Sequence, residues 1–305
     1  MSFNVTILGT SSAIQAHGRN QSAQIVKVFN EVFLIDCGEG TQTVLKKHKI
    51  NFNKINHILI SHLHGDHYLG LFGLLSSMSL LGRKKPLNLF GPKGLKEIIS
   101  IQLKYGNMTL NYDINFFETQ VREQATIYKN SFLEVSSFPL IHRVDCTGFL
   151  IKEKNKPFKI NTEDLPHNLS NTEYNKLKKG ESFVLSNGFK VEAEKWTLPP
   201  KKARSYAYCS DTKYNEKIIP YIKEVDLLYH ESTFIEAHAD RTISTMHSTA
   251  KEAANIAKKA NVKKLMLGHF STRYKDLDQF LVESTEIFTP TILAKEGDKI
   301  SIEEF

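Results

Sequence analysis

Residues 61–67 read Ser-His-Leu-His-Gly-Asp-His, three histidines and an aspartate in seven positions. His62 and His64, two apart, share a side only on extended backbone. Asp66-His67 then needs a turn, so the pattern suits a loop at a strand end. Burying so many polar groups without partners would cost on the order of several kcal/mol. Imidazoles and carboxylates are the usual zinc ligands where no thiolates serve. The alternation lets His62 and His64 face one cation and Asp66 and His67 a second. The remaining donors must come from elsewhere, and His142, Asp211 and His269 each follow an apolar run. A carboxylate such as Asp211 can bridge two cations roughly 3.5–4 Å apart, an arrangement that lowers the pKa of a shared water and stabilises both oxygens of an in-line phosphoryl displacement. His17, His48, His57, His167 and His238 stand outside this pattern and read as ordinary surface or packed histidines.

The elements that must place these groups alternate between strand and helix. FNVTILGT reads as a strand, and SAQIVKVFNEVFLIDCG as a hairpin turning at Asn30-Glu31. TQTVLKKHKI carries helix spacing, with Val44, Leu45 and Ile50 on one side. INHILIS is a short strand that delivers the histidine cluster at its end. The apolar run 68–82 is too short and too rich in Gly and Ser to span a bilayer and predicts one buried helix. LNLF predicts a strand and GLKEIISIQLKYG a helix. In the second half FLEVSSFPL, RSYAYCSD, VDLLYHES and KKLMLGHF read as strands leading to His142, Asp211, His230-Glu231 and His269. Sites assemble at the carboxyl ends of strands in α/β architectures. Residues 151–200 are polar, with a hairpin signal at Asn187-Gly188 and a short helix in TEYNKLKKG, and read as an inserted arm.

With 305 residues, 41% hydrophobic and 24% charged, the chain has the make-up of a soluble globular protein. Its net charge of +7 weakly favours a polyanionic partner. The three cysteines form no C-x-x-C pair, which argues against a disulfide framework or zinc ribbon and fits a reducing compartment. MSFNVTILGT lacks the basic and apolar regions of a signal peptide. These features lead to the expectation of a cytoplasmic protein with no membrane role.

H-x-H-x-D-H resembles the metallo-β-lactamase superfamily. The words LGTSSA (8–13), DCGEGTQ (36–42), HLHGDHYLGLFGLL (62–75), LFGPKGL (89–95), YCSDT (208–212), HEST (230–233), HST (247–249) and GHFSTRY (268–274), in that order, resemble the ribonuclease Z family, the tRNA 3′-processing endonucleases, in their short form. The resemblance implies an α/β fold, an αββα four-layer sandwich forming a single domain over 1–305, with a tRNA-binding arm at about 151–200. It implies His62, His64 and His142 on one zinc, Asp66, His67 and His269 on a second, and Asp211 bridging, with manganese as the alternative metal. It also implies that Asp66 takes part in activating the attacking water and that Glu231 and His247 form a proton-transfer pair. Arg19, Asn20, Ser271 and Arg273 are expected to contact the RNA 3′ region, and Lys176, Lys178 and Lys179 phosphates of the tRNA body. The expected product ends are a 3′-hydroxyl on the tRNA and a 5′-phosphate on the trailer, and the expected assembly is a homodimer. The chain departs from the family where Gln15 and His17 replace Pro and Lys in the first loop and where the arm lacks a Gly-Pro signature. The alternatives are a hydrolase of the same fold acting on a small substrate (a cyclic nucleotide, lactone or thioester) and an inactive RNA-binding module, against which the full set of seven ligands counts.

Overall fold

A computed structural model describes residues 2–161, 165 and 169–302; His167 lies outside them. The first half contains β1 (Phe3–Gly9), β2 (Ala23–Val28), β3 (Glu31–Ile35), α1 (Thr41–Lys47), β4 (His57–Leu59), α2 (Gly65–Tyr68), α3 (Leu71–Leu80), β5 (Leu87–Gly91), α4 (Leu95–Tyr105) and β6 (Ile114–Glu118). The second half begins with β7 (Ala125–Lys129), β8 (Leu133–Pro139) and β9 (Thr147–Glu153). Small elements follow: β10 (Lys159–Ile160), α5 (Asn171–Lys178), β11 (Phe183–Val184), β12 (Lys190–Val191), α6 (Ala193–Trp196) and β13 (Thr197–Leu198). The chain then returns through β14 (Ser205–Cys209), α7 (Ile219–Ile222), β15 (Leu227–Glu231), α8 (Asp240–Thr245), α9 (Ala250–Lys259), β16 (Leu265–Gly268), α10 (Asp278–Thr285), β17 (Thr291–Leu293) and β18 (Lys299–Ser301).

Among the described residues two seven-stranded sheets carry the fold, ordered β18-β1-β2-β3-β4-β5-β6 and β17-β16-β15-β14-β9-β8-β7. Each joins four parallel strands to an antiparallel extension: β3 to β6 run parallel in the first and β14 to β17 in the second. Side chains alternate between strand faces, and both faces are apolar. Phe3, Val5, Val26, Phe33 and Leu59 meet Phe149, Tyr206, Tyr208, Leu227, Tyr229 and Met266 in a core between the sheets. Their strand neighbours turn outward. Ile25, Leu34 and Ile58 pack with Val44, Leu45, Leu74 and Ile99 of α1, α3 and α4. Ala207, Leu228 and Leu267 pack with Ile222, Ala253, Ile256 and Phe280 of α7, α9 and α10. Three cores between four layers are the αββα sandwich, as expected.

Three boundaries differ from the sequence reading. The hairpin turns at Phe29-Asn30, one residue early. The run 68–82 is not one buried helix: it breaks between α2 and α3, where Gly70 N–H donates to Cys37 O at 2.9 Å. A Cβ on Gly70 would stand 2.1 Å from Gly38 O, so the break seats the helix pair against the loop after β3. Beyond it only one face of α3 is covered, and Leu80 and Leu81 are exposed. Finally, β9 carries the second sheet to Glu153, so the segment expected as an arm from about 151 leaves the sheet slightly later. Its residues Leu177, Phe183, Val191 and Ala193 form a small core of their own.

Candidate metal centre

The cluster sits where the parallel strands of both sheets end. Buried β3 and β4 deliver Asp36 and residues 61–67; β8, β14, β15 and β16 deliver His142, Asp211, Glu231 and His269. One half of the site thus comes from each sheet.

His62 Nε2 and His142 Nε2 each lie 3.1 Å from His64 Nδ1. Asp211 Oδ2 is 3.5 Å from His62 Nε2 and 3.8 Å from His142 Nε2. Its other oxygen, Oδ1, is 3.3 Å from His67 Nε2 and 3.2 Å from His269 Nε2. Asp66 Oδ2 is 3.5 Å from both of those nitrogens. The residues expected as two ligand sets are therefore brought together as two sets, and Asp211 turns one oxygen to each.

Which nitrogen carries the proton follows from the outer hydrogen bonds. His142 Nδ1 faces Met246 O at 3.0 Å, and a carbonyl only accepts. His67 Nδ1 donates to Asp36 Oδ2 at 2.8 Å. Ser61 Oγ donates to Asp36, which leaves its lone pairs for His62 Nδ1–H at 3.0 Å. Thr233 Oγ1 donates to Glu231 and accepts from His269 Nδ1 at 3.0 Å. The Nε2 lone pairs of His62 and His142 consequently point into the first set, and those of His67 and His269 into the second. Facing lone pairs repel unless a cation lies between them, and four donors about 2.0–2.1 Å from a tetrahedral ion stand roughly 3.4 Å apart. Among the described residues, Asp211 Oδ1 is buried without a hydrogen-bond partner, an orphan whose cost a cation would remove. The residues therefore fit a divalent metal site.

Electrostatics agree. Burial, then the neighbouring imidazole of His67, pushes His62 well below its ordinary pKa. Burial opposes a charge on His67, yet the carboxylates of Asp211, Asp66 and Asp36 raise it; a field that holds a proton there would hold a divalent cation in its place. Asp36, at φ 55°, accepts from Ser61 N, Ser61 Oγ, His67 Nδ1 and Tyr208 OH. His269 (φ 59°) and Met246 (φ 56°) are also left-handed, a strained conformation that clusters at functional sites.

Glu231, fully buried, accepts from His247 Nδ1 at 2.8 Å and from the N–H groups of Thr212, Thr233 and Ser248. Burial works against a charge on His247, but Glu231 outweighs it and raises the pKa to about 9. The His247 ring lies 5.1 Å from that of His142 and 5.4 Å from that of His269, beside both ligand sets. The helix that follows it, α9, begins with a capping box formed by Thr249 and Glu252.

The other expected contacts are more varied. Arg19 donates to Tyr274 O at 2.6 Å, and Asn20 Nδ2 to Glu296 at 2.5 Å, so both tie the first loop to the protein. Ser271 is buried and Arg273 exposed. Lys176, Lys178 and Lys179, on and just past α5, are exposed, Lys176 standing over the Phe183 ring.

A family model described as anti-Pycsar protein Apyc1 matches residues 3–286. Ribonuclease Z of Cytophaga hutchinsonii is 49% identical over 305 residues, all of this chain and 97% of the relative. The chain belongs to the ribonuclease Z family. Ribonuclease Z of Bacteroides thetaiotaomicron is 41% identical over 99% of this chain and 96% of its own length. Among solved structures, human tRNase Z, short form (ELAC1), superposes with a TM-score of 0.73 at 27% identity, covering 99% of this chain and all of that one. The metallo-beta-lactamase fold protein YhfI from Bacillus subtilis, at 18% identity and a TM-score of 0.69 over 98% of both chains, shares the fold. As a ribonuclease Z family member, this chain contains groups that the sequence reading passed over: Asp36, Thr233 and the Met246 carbonyl, each orienting a histidine of the cluster.

Proposed function

We propose that this protein is a metal-dependent endoribonuclease that removes the 3′ trailer from precursor tRNA, leaving a 3′-hydroxyl on the tRNA and a 5′-phosphate on the trailer. The observation that carries the reading is the pair of donor sets sharing Asp211 with a Glu231–His247 pair beside them. His62, His64 and His142 would hold one zinc ion and Asp66, His67 and His269 the other, with Asp211 between. Bound there, such ions supply an activated water and neutralise charge on the phosphoryl oxygens. Asp66 Oδ2, anchored by Ala13 N at 2.7 Å, orients the attacking water. His247, held by Glu231, gives its proton to O3′ as the P–O bond breaks. Arg273 is free to grip a phosphate, and Arg19, Asn20 and Ser271 shape the loops around it. Residues from about 154 to 200, with Lys176, Lys178 and Lys179, form the arm that holds the tRNA body through sequence-independent contacts.

The working form is proposed to be a homodimer in the cytoplasm. Exposed Leu80 and Leu81 offer apolar surface that a second copy could cover. The three free, buried cysteines suit a reducing compartment. Among the described residues no helix is long and apolar enough to cross a membrane.

The test is end-mapping after incubation with precursor tRNA and, separately, with a cyclic nucleotide, each with and without chelator. A single chelator-sensitive cut after the discriminator base is expected. Hydrolysis of the small diester alone would overturn the reading in favour of a small-substrate hydrolase.

A further inference from the structure

The outer face of the first sheet is only partly covered by α1 and α3. Beside them runs a groove of about 990 Å³ lined by Lys27, Lys49, Lys54, Arg83, Lys85 and Lys299, together with His48 and several asparagines, and, among the described residues, by no Asp or Glu. These cations come from β2, the turn after α1, the turn before β4, the loop before β5, and β18. Arg83 is buried and fixed by the carbonyls of Ile55, Lys85 and Pro86. The five lysines are exposed and form no ion pair with any described residue, whereas Lys195, Lys259 and Lys263 elsewhere do. The strand register spreads the charge: Lys27 faces Asn4, and Lys299 faces Thr6. The groove lies away from the metal centre. Asn4, Val32 and Asn56 line it near the starts of β1, β3 and β4, and the metal cluster lies past the far ends of β3 and β4.

We propose that this groove is a second RNA-binding surface, which takes the phosphodiester backbone of the precursor at a distance from the cut. The inference rests on the reading of the protein as a precursor-tRNA nuclease. Cations spread along an open groove, rather than converging on one point, suit a polyanion with repeating charge over a single small anion. Unpaired lysines facing acceptor-rich backbone give affinity without sequence preference. The asparagines add donors and acceptors that can meet ribose hydroxyls.

The test compares wild type with Lys27→Glu/Lys54→Glu and, as an independent pair, Lys85→Glu/Lys299→Glu. All four side chains are exposed, and hydrolysis of bis(p-nitrophenyl) phosphate reports on the integrity of the metal site. Each pair is expected to weaken precursor-tRNA binding by about 10–100-fold at moderate salt, to make the plot of log K against log salt shallower by about two, and to raise KM without lowering kcat. Turnover of the small diester is expected to stay at the wild-type rate. RNA affinity and salt slope unchanged in both folded variants would overturn the proposal. So would loss of poly-L-glutamate binding with RNA binding intact, which would assign the groove to an acidic polypeptide. A wild-type protein that fails to cut precursor tRNA would instead overturn the function proposed above, so the two failures are separable.

Discussion

Replacing Asp36 with asparagine tests the account of how the histidines are aimed. The side chain keeps its shape, but its oxygens now accept four bonds at 2.8–2.9 Å, from Ser61 N, Ser61 Oγ, His67 Nδ1 and Tyr208 OH. An amide has one acceptor oxygen. Turned toward His67, it sets its NH2 group against Ser61 N–H; flipped, it sets NH2 against three donors. At least one buried donor loses its partner, which costs about 1–3 kcal/mol, and the charge-assisted bond to His67 is weakened as well. Loss of about 2–4 kcal/mol of stability follows. Outer partners of metal-binding histidines typically affect metal affinity or activity by about 10–100-fold, and that range is expected here. Competition with a fluorescent chelator and plasma emission measure metal affinity and content, and urea unfolding measures the loss of stability. Metal affinity within twofold of wild type and an unchanged unfolding midpoint would refute the claim that Asp36 positions His67.

Other perturbations separate chemistry from scaffolding. His247→Ala should slow precursor cleavage by about 10²–10⁴-fold with metal content unchanged; a normal single-turnover rate would remove it as proton donor. Glu153 is buried against Arg204, with Arg204 Nη2 2.6 Å from Oε1. Burial raises its pKa, but the bonds from Arg204 prevail and hold it below the ordinary value. Its folded pKa is depressed, so its stabilisation is complete above the unfolded carboxylate range, near pH 4.3, and is lost as pH falls through the lower folded value. Glu153→Gln should therefore flatten the fall in melting temperature between about pH 5 and 3, and an acid limb identical to wild type would count against that assignment. Gly70→Ala drives a methyl group into Gly38 O and should cost about 1–3 kcal/mol in chemical denaturation; a neutral result would mean that the loop after β3 gives way easily.

Much of the site could be read from order and spacing. Buried strands carry their own signal, and polar residues that follow apolar runs, such as His142, Asp211 and His269, mark loops at one sheet edge. Asp36 obeys the same rule, directly after the apolar run of β3, yet its partner His67 is 31 residues away, and nothing local says that a carboxylate will serve an imidazole rather than a metal. Thr233 and the Met246 carbonyl were hidden for a related reason: a hydroxyl or a backbone oxygen acquires its role only when another strand brings a ring nitrogen to it. The break at Leu69-Gly70 escaped because the apolar run is continuous through it. A close approach to Gly38 ends the helix there, and that contact is tertiary.

The division of the metal centre between the sheets has a consequence for synthesis. The first 67 residues carry four of the seven donors, but the last, His269, follows β16, and β18 must then pair with β1 to finish the first sheet. On the proposed assignment of the donors, a nascent chain stays inert until nearly all of it has been translated, which would protect the RNA around the ribosome from a half-made nuclease.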